Sequence, residues 1–158
     1  MDISLRAIGI IHSPFKDLSD MPIQPIGEAS APGTIEIYPD FAAGLKDLEG
    51  FSHIIVLYYF HKVSRLQLIV VPFLDSEPRG VFATRAPVRP NPIGLSVIQL
   101  QKREGNILFV DQLDVLDGTP LLDIKPYVPE FDEKVNVRIG WLEQARGKAR
   151  LTRSDNRF

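Results

Sequence analysis

Residues 95–113 read LSVIQLQKREGNILFVDQL. Two runs rich in β-branched and apolar residues, Leu95–Lys102 and Asn106–Leu113, flank Arg103-Glu104-Gly105. That pattern predicts an antiparallel hairpin. Upstream, SHIIVLYYF at Ser52–Phe60 is the strongest single strand signal in the chain. Leu66–Pro72 reads as a second buried strand and Gly80–Thr84 as a short third one. Toward the N-terminus, Leu5–Ser13 is β-branched and ends at Pro14, and Thr34–Tyr38 alternates Ile35 and Ile37 with polar partners. Downstream, Asp117-Gly118-Thr119-Pro120 marks a turn, Leu121–Lys125 a further strand, and Val135–Trp141 follows a proline-rich, acidic stretch. One short helix is expected over Phe41–Leu48, capped by Asp40 and closed by Gly50.

About seven short strands with one or two short helices and no regular βα alternation define a mainly β protein. Closure into a small barrel hides the edges of so many strands. Residues 1–141 are expected to form this barrel domain, with residues 142–158 as a tail. The 158 residues suit one domain and suffice for a core without staples. Thirteen prolines argue for turns and short strands over long helices. The stretch Pro14–Gly33 holds four prolines and two glycines, and loops of that length are usually functional or disordered.

There is no cysteine, which excludes thiol nucleophiles, thiolate metal sites and disulfides. The net charge is −2, so binding of nucleic acid through bulk positive charge is not expected. The charge is uneven, however. Arg146, Lys148, Arg150, Arg153 and Arg157 outweigh Glu143 and Asp155, giving residues 142–158 a net +3 against −5 for residues 1–141. The tail reads as a solvated end or as a nucleic-acid arm. The longest apolar runs are seven residues, too short to cross a membrane, and no segment resembles a targeting signal. A soluble cytoplasmic protein is expected.

The common nucleotide, zinc-protease and hydrolase motifs are absent. His12 and His53 read as hydrogen-bonded strand histidines, whereas His61 ends a strand beside Lys62, where the core meets a loop. The densest feature is Gly80–Ser96, GVFATRAPVRPNPIGLS. Its prolines stiffen the backbone, so Arg85 and Arg89 are displayed on a preorganised loop suited to a carboxylate or phosphate. Those arginines pairing internally is the competing reading. A second feature, LDGTPLLDIKPYVP at Leu116–Pro129, combines the Asp117 turn with Asp123 and Lys125, which share a strand face and can pair. The loop Met21–Gly27, MPIQPIG, is apolar for an exposed segment.

Together, these segments and the GFSHIIVLYYFHK strand resemble the TrmO-type tRNA methyltransferases. These are also called the TsaA-like or YaeB family, which methylate N6 of threonylcarbamoyladenosine at tRNA position 37. The resemblance runs from about Ile8 to Trp141. It implies a small β-barrel, a homodimer, and S-adenosyl-L-methionine bound near the dimer interface, with a tRNA anticodon loop as partner. The cofactor residues it implies are Pro22, Ile23 and Gln24, then His61, Lys62, Arg85, Arg89 and Val97, then Asp117, Gly118, Thr119 and Pro120. The family often carries arginine where this chain has Ile23. Under this reading Asp117 and His61 are the candidate bases for the N6 proton. Arg85, Arg89 or Lys62 would take the threonyl carboxylate, and backbone groups of the 117–120 turn would serve the cofactor adenine. Two alternatives stand beside it. One is an S-adenosylmethionine- or nucleotide-binding barrel, a sensor or RNA-binding module without transfer. The other is a methyltransferase with a different acceptor.

Overall fold

A computed structural model describes residues 1–21 and 30–145. Six strands close into an antiparallel barrel in the order β1, β2, β7, β6, β3, β8. They are β1 (Gly9–His12), β2 (Ala31–Ile37), β3 (His53–Tyr59), β6 (Ile93–Glu104), β7 (Ile107–Leu113) and β8 (Thr119–Pro126). The remaining pair, β4 (Ile69–Val70) and β5 (Arg79–Gly80), forms a separate two-stranded ladder.

The expected hairpin is β6–β7. Its strands run to Glu104 and from Ile107, so the turn is the two residues Gly105–Asn106, with Gly105 at φ 61°. A positive φ at the first turn residue matches the right-handed twist of the flanking strands. The alternation of strand side chains fills the barrel with branched residues. Ile54 and Val56 of β3, Ile98 of β6, Leu108 and Val110 of β7, Ile35 of β2 and Leu121 of β8 are all fully buried. Ser52–Phe60 reads as continuously apolar because its outward side chains, Ile55, Leu57 and Tyr59, are apolar too.

Three expectations are corrected. Leu66–Pro72 is not a buried strand. Only Ile69–Val70 pairs, and Leu66, Leu68 and Ile69 are exposed. This segment leaves the barrel and has a single short partner, so only Val70 finds a small apolar cluster while Leu66, Leu68 and Ile69 stay exposed. Gly80–Thr84 is not a strand either. Val81–Ala83 turns as a 3-10 helix once β5 ends. The helix expected over Phe41–Leu48 is two 3-10 turns, Pro39–Leu45 and Leu48–Gly50, broken where Asp47 takes φ 70°. At the chain's far end, Gly140–Ala145 forms a 3-10 turn with Ala145 buried, so this turn spans the expected boundary at 141/142. The basic residues Arg146–Arg157 lie outside the described residues.

The strand registers decide what meets at each end. Ile11 pairs with Thr119, His12 with Thr34, Tyr59 with Ile93, and Ala31 with Leu113. The ends of β1, β3 and β7 and the starts of β2, β6 and β8 therefore share one rim. The 60–92 and 114–118 connections both open there, and so does the chain that follows His12. The opposite rim carries the tight Gly105–Asn106 turn and the 38–52 connection.

Candidate functional site

Of the candidate residues, His61, Lys62, Arg85, Arg89, Asp117, Gly118, Thr119 and Pro120 all lie in or beside the two connections at this rim. Pro22, Ile23 and Gln24 fall outside the described residues. Val97 stands apart. It pairs with Ile55 and faces outward, while its neighbours Ser96 and Ile98 point into the barrel.

The Asp117–Gly118 turn is tied to the first strand. Gly118, at φ 78°, donates its N–H to the Ile11 carbonyl, and Asp117 donates its N–H to the Phe15 carbonyl. Thr119 N–H reaches the Leu116 carbonyl. Those donors are engaged, so the turn presents acceptor groups to a ligand. The Asp117 carboxylate accepts from Ser13 N–H at 2.9 Å and from Lys16 Nζ at 2.6 Å. The Lys16 bond holds its pKa below the usual carboxylate range, with the Ser13 N–H adding to the effect. An anion stabilised this way is a poor proton acceptor.

His61 is better suited. Thr119 Oγ1 donates to the Leu116 carbonyl at 2.6 Å. At its 3.4 Å contact with His61 Nδ1 the threonine oxygen therefore accepts. A proton on Nδ1 satisfies that contact and places the lone pair on Nε2. Partial burial, then the Lys62 charge, lower the imidazole pKa against a smaller opposing pull from the Tyr59 carbonyl. The ring is therefore neutral at physiological pH.

The two arginines of the proline loop have separate roles. Arg89 Nη1 donates to the carbonyls of Val81 at 3.0 Å, Thr84 at 2.8 Å and Ala86 at 3.3 Å. It braces the loop from within and is not presented to a ligand through that nitrogen. Arg85 is exposed at the loop surface, and its charge is felt by Asp114 and Tyr58. His12 and His53 behave as expected of strand histidines. His12 Nε2 lies 3.2 Å from Glu36 and His53 Nδ1 lies 2.8 Å from Ser52 Oγ. Asp123 and Lys125 pair at 2.8 Å.

The sequence reading missed the buried group at this rim. Asp114 is 6% exposed, and Ser96 Oγ donates to its Oδ1 at 2.6 Å. Because that bond uses the only serine proton, the Tyr58 hydroxyl, 2.9 Å away, donates to Ser96. Burial raises the Asp114 pKa to about 7 against the opposing Ser96 bond, its own backbone N–H and the Arg85 charge. Burial likewise raises Tyr58 far above the usual phenol range. The chain Tyr58–Ser96–Asp114 thus places a carboxyl that titrates near neutrality beneath Arg85. Its sequence signal is an aspartate set among Leu113, Val115 and Leu116, all buried. Gln112, in the left-handed region at φ 63°, marks the bulge in β7. The slip points Leu113 inward in place of Gln112, and Asp114, the first residue beyond β7, is buried in the connection that follows. Gly94 completes the rim. A methyl there would collide with the Tyr58 and Phe60 rings, which pack edge to face with centroids 5.5 Å apart.

A closed six-stranded barrel with an imidazole, an exposed arginine and a buried carboxyl at one rim is a small β-barrel with a polar binding end. Its sequence matches the tRNA-methyltransferase O N-terminal domain family over residues 10–133, and the chain belongs to that family. It is 58% identical over 156 residues to a probable S-adenosyl-L-methionine-binding protein of Pyrococcus abyssi, covering 99% of this chain and 85% of that protein. A mouse tRNA (adenine(37)-N6)-methyltransferase is 43% identical over 98 residues, 60% of this chain and 23% of the mouse protein. The crystal structure of TrmO from Pseudomonas aeruginosa superposes with a TM-score of 0.74 at 42% identity, covering 89% of this chain and 63% of that one. This chain thus spans less than two thirds of that solved structure.

Proposed function

We propose that this chain is an S-adenosyl-L-methionine-dependent methyltransferase acting on N6 of threonylcarbamoyladenosine at tRNA position 37. Family membership supports the reaction class, and the names of its relatives support the cofactor and the nucleic-acid acceptor. The observation that carries the reading is the convergence of His61, Arg85, Asp114 and the Asp117 turn on one rim.

The rim fits the cofactor's chemistry. Lys62 matches the cofactor's carboxylate, and the acceptor groups of the Asp117–Pro120 turn match the amino group of an adenine. When bound, S-adenosylmethionine supplies an electrophilic methyl group. The chain's own contribution is positioning and proton removal. The acceptor N6–H belongs to a urea-like group whose lone pair is delocalised, so a base assists. His61 takes that proton at Nε2 while Thr119 holds the ring. Arg85 pairs with the threonyl carboxylate, and the 85–92 loop braced by Arg89 holds it in place. We also infer a homodimer, as the family resemblance implies. The outer faces of β3 and β6 support it, since they expose Tyr59 and Leu95. Light scattering reading a monomer mass would overturn that inference.

The test is incubation with S-adenosylmethionine and threonylcarbamoylated tRNA, followed by nucleoside analysis. Methylated threonylcarbamoyladenosine is expected, and its absence with folded protein overturns the reading. A second reading, cofactor binding without transfer, is favoured by the name of the Pyrococcus relative. Calorimetric binding without product on any RNA selects it.

A further inference from the structure

One aromatic ring at this end is built to be exposed. Phe82 is 74% exposed, yet the turn that carries it, Val81–Ala83, is fixed on every side. Val81 is buried in a second apolar cluster with Val70, Ala86 and Val88. Its carbonyl accepts from Arg89 Nη1 and from Thr84 Oγ1 at 2.8 Å. The Ala83 carbonyl accepts from Trp141 Nε1 at 2.8 Å. The Phe82 ring itself rests on a guanidinium, with Arg89 Cζ 5.8 Å from its centroid. That guanidinium is held by three carbonyls, so the ring has a rigid cationic support on one face and solvent on the other. Arg85 follows three residues later, within roughly 10 Å along the chain, and its charge reaches Asp114 at the candidate site.

A flat π face backed by a cation, three residues from the arginine of the candidate site, suits an unpaired nucleobase. Such bases are recognised by stacking on aromatic side chains, with arginines supplying charge. We propose that Phe82 is a stacking platform for an unpaired RNA base next to the modified nucleotide. The proposal deepens the reading above and rests on it for the identity of the RNA.

The test measures binding of the full chain to a threonylcarbamoylated anticodon stem–loop by fluorescence anisotropy. The variants are Phe82→Ala, Phe82→Leu and Phe82→Trp. Both Phe82→Ala and Phe82→Leu are expected to weaken RNA binding by about 10- to 100-fold. Phe82→Trp should stay near wild type. Cofactor affinity by calorimetry and mass by light scattering should not change. The proposal is overturned if the wild type binds no RNA, if Phe82→Leu binds like wild type, or if Phe82→Ala leaves RNA binding intact. It is equally overturned if the loss comes with lower cofactor affinity, which assigns the ring to the cofactor adenine, or with a change of mass, which assigns it to a protein interface. Methyl transfer is read separately. Turnover by wild type with an indifferent Phe82 sinks this inference alone, whereas RNA binding through Phe82 without turnover sinks the methyltransferase reading alone.

Discussion

Asp114→Asn tests whether a neutral-pH titration is built into the barrel. In the folded chain burial raises the Asp114 pKa from 3.8 to about 7. Between those values the folded state keeps a proton that the unfolded state has released. Stability therefore falls as pH rises through this window and levels off above it. The full shift corresponds to roughly 4 kcal/mol, of which about 3 kcal/mol is lost between pH 5 and pH 8. Asparagine keeps the oxygen that accepts from Ser96 and cannot ionise. The assay is urea unfolding of both proteins at pH 5 and pH 8, comparing the wild type minus variant difference at each. Carboxylates lowered by lysine or arginine, such as Asp117 and Asp75, pull the other way in both proteins and cancel. The difference should shift against wild type by about 3 kcal/mol on going to pH 8. A difference that stays constant, or moves in wild type's favour, refutes the claim that Asp114 is held protonated by burial.

The other predictions concern single side chains. His61→Asn should lower kcat by about 10²- to 10⁴-fold while leaving cofactor affinity near wild type. Because its pKa is lowered, the wild-type rate should rise with pH through a value below 6.5 and then plateau; an unchanged kcat in the variant removes His61 as the base. Arg89→Lys keeps the charge and withdraws Nη1 from the three carbonyls, because the lysine chain is shorter, so chemical denaturation should show a loss of about 2 kcal/mol. Unchanged stability together with weaker ligand binding would return Arg89 to the list of ligand contacts. Gly94→Ala forces the buried Tyr58 ring and the half-buried Phe60 ring to move and should cost about 2 kcal/mol or more in thermal unfolding.

Much of the barrel was legible locally. Alternation and β-branching marked β3, β6, β7 and β8, because a strand's two faces repeat every two residues whatever its neighbours do. The weak elements were those whose state depends on a partner. Leu66–Pro72 carries strand-like residues and has only Arg79–Gly80 to pair with. Val81–Ala83 turns because Arg89, eight residues on, binds its carbonyl.

The candidate site divides the same way. Sequence alone picked out a proline-stiffened loop with two arginines, a histidine at a strand end and an Asp-Gly turn as candidates for this chain's chemistry, since residue type and backbone restraint are local properties. Only the tertiary structure decided which of them stand open at the rim. It drew Arg89 inward onto carbonyls and tied the Asp117 carboxylate to Ser13 and Lys16. It placed Val97 outside and buried Asp114 against Ser96 of another strand. Burial and hydrogen-bond partners come from strands far apart in the chain, and pKa and orientation follow from them. No window of sequence contains both halves of such a contact.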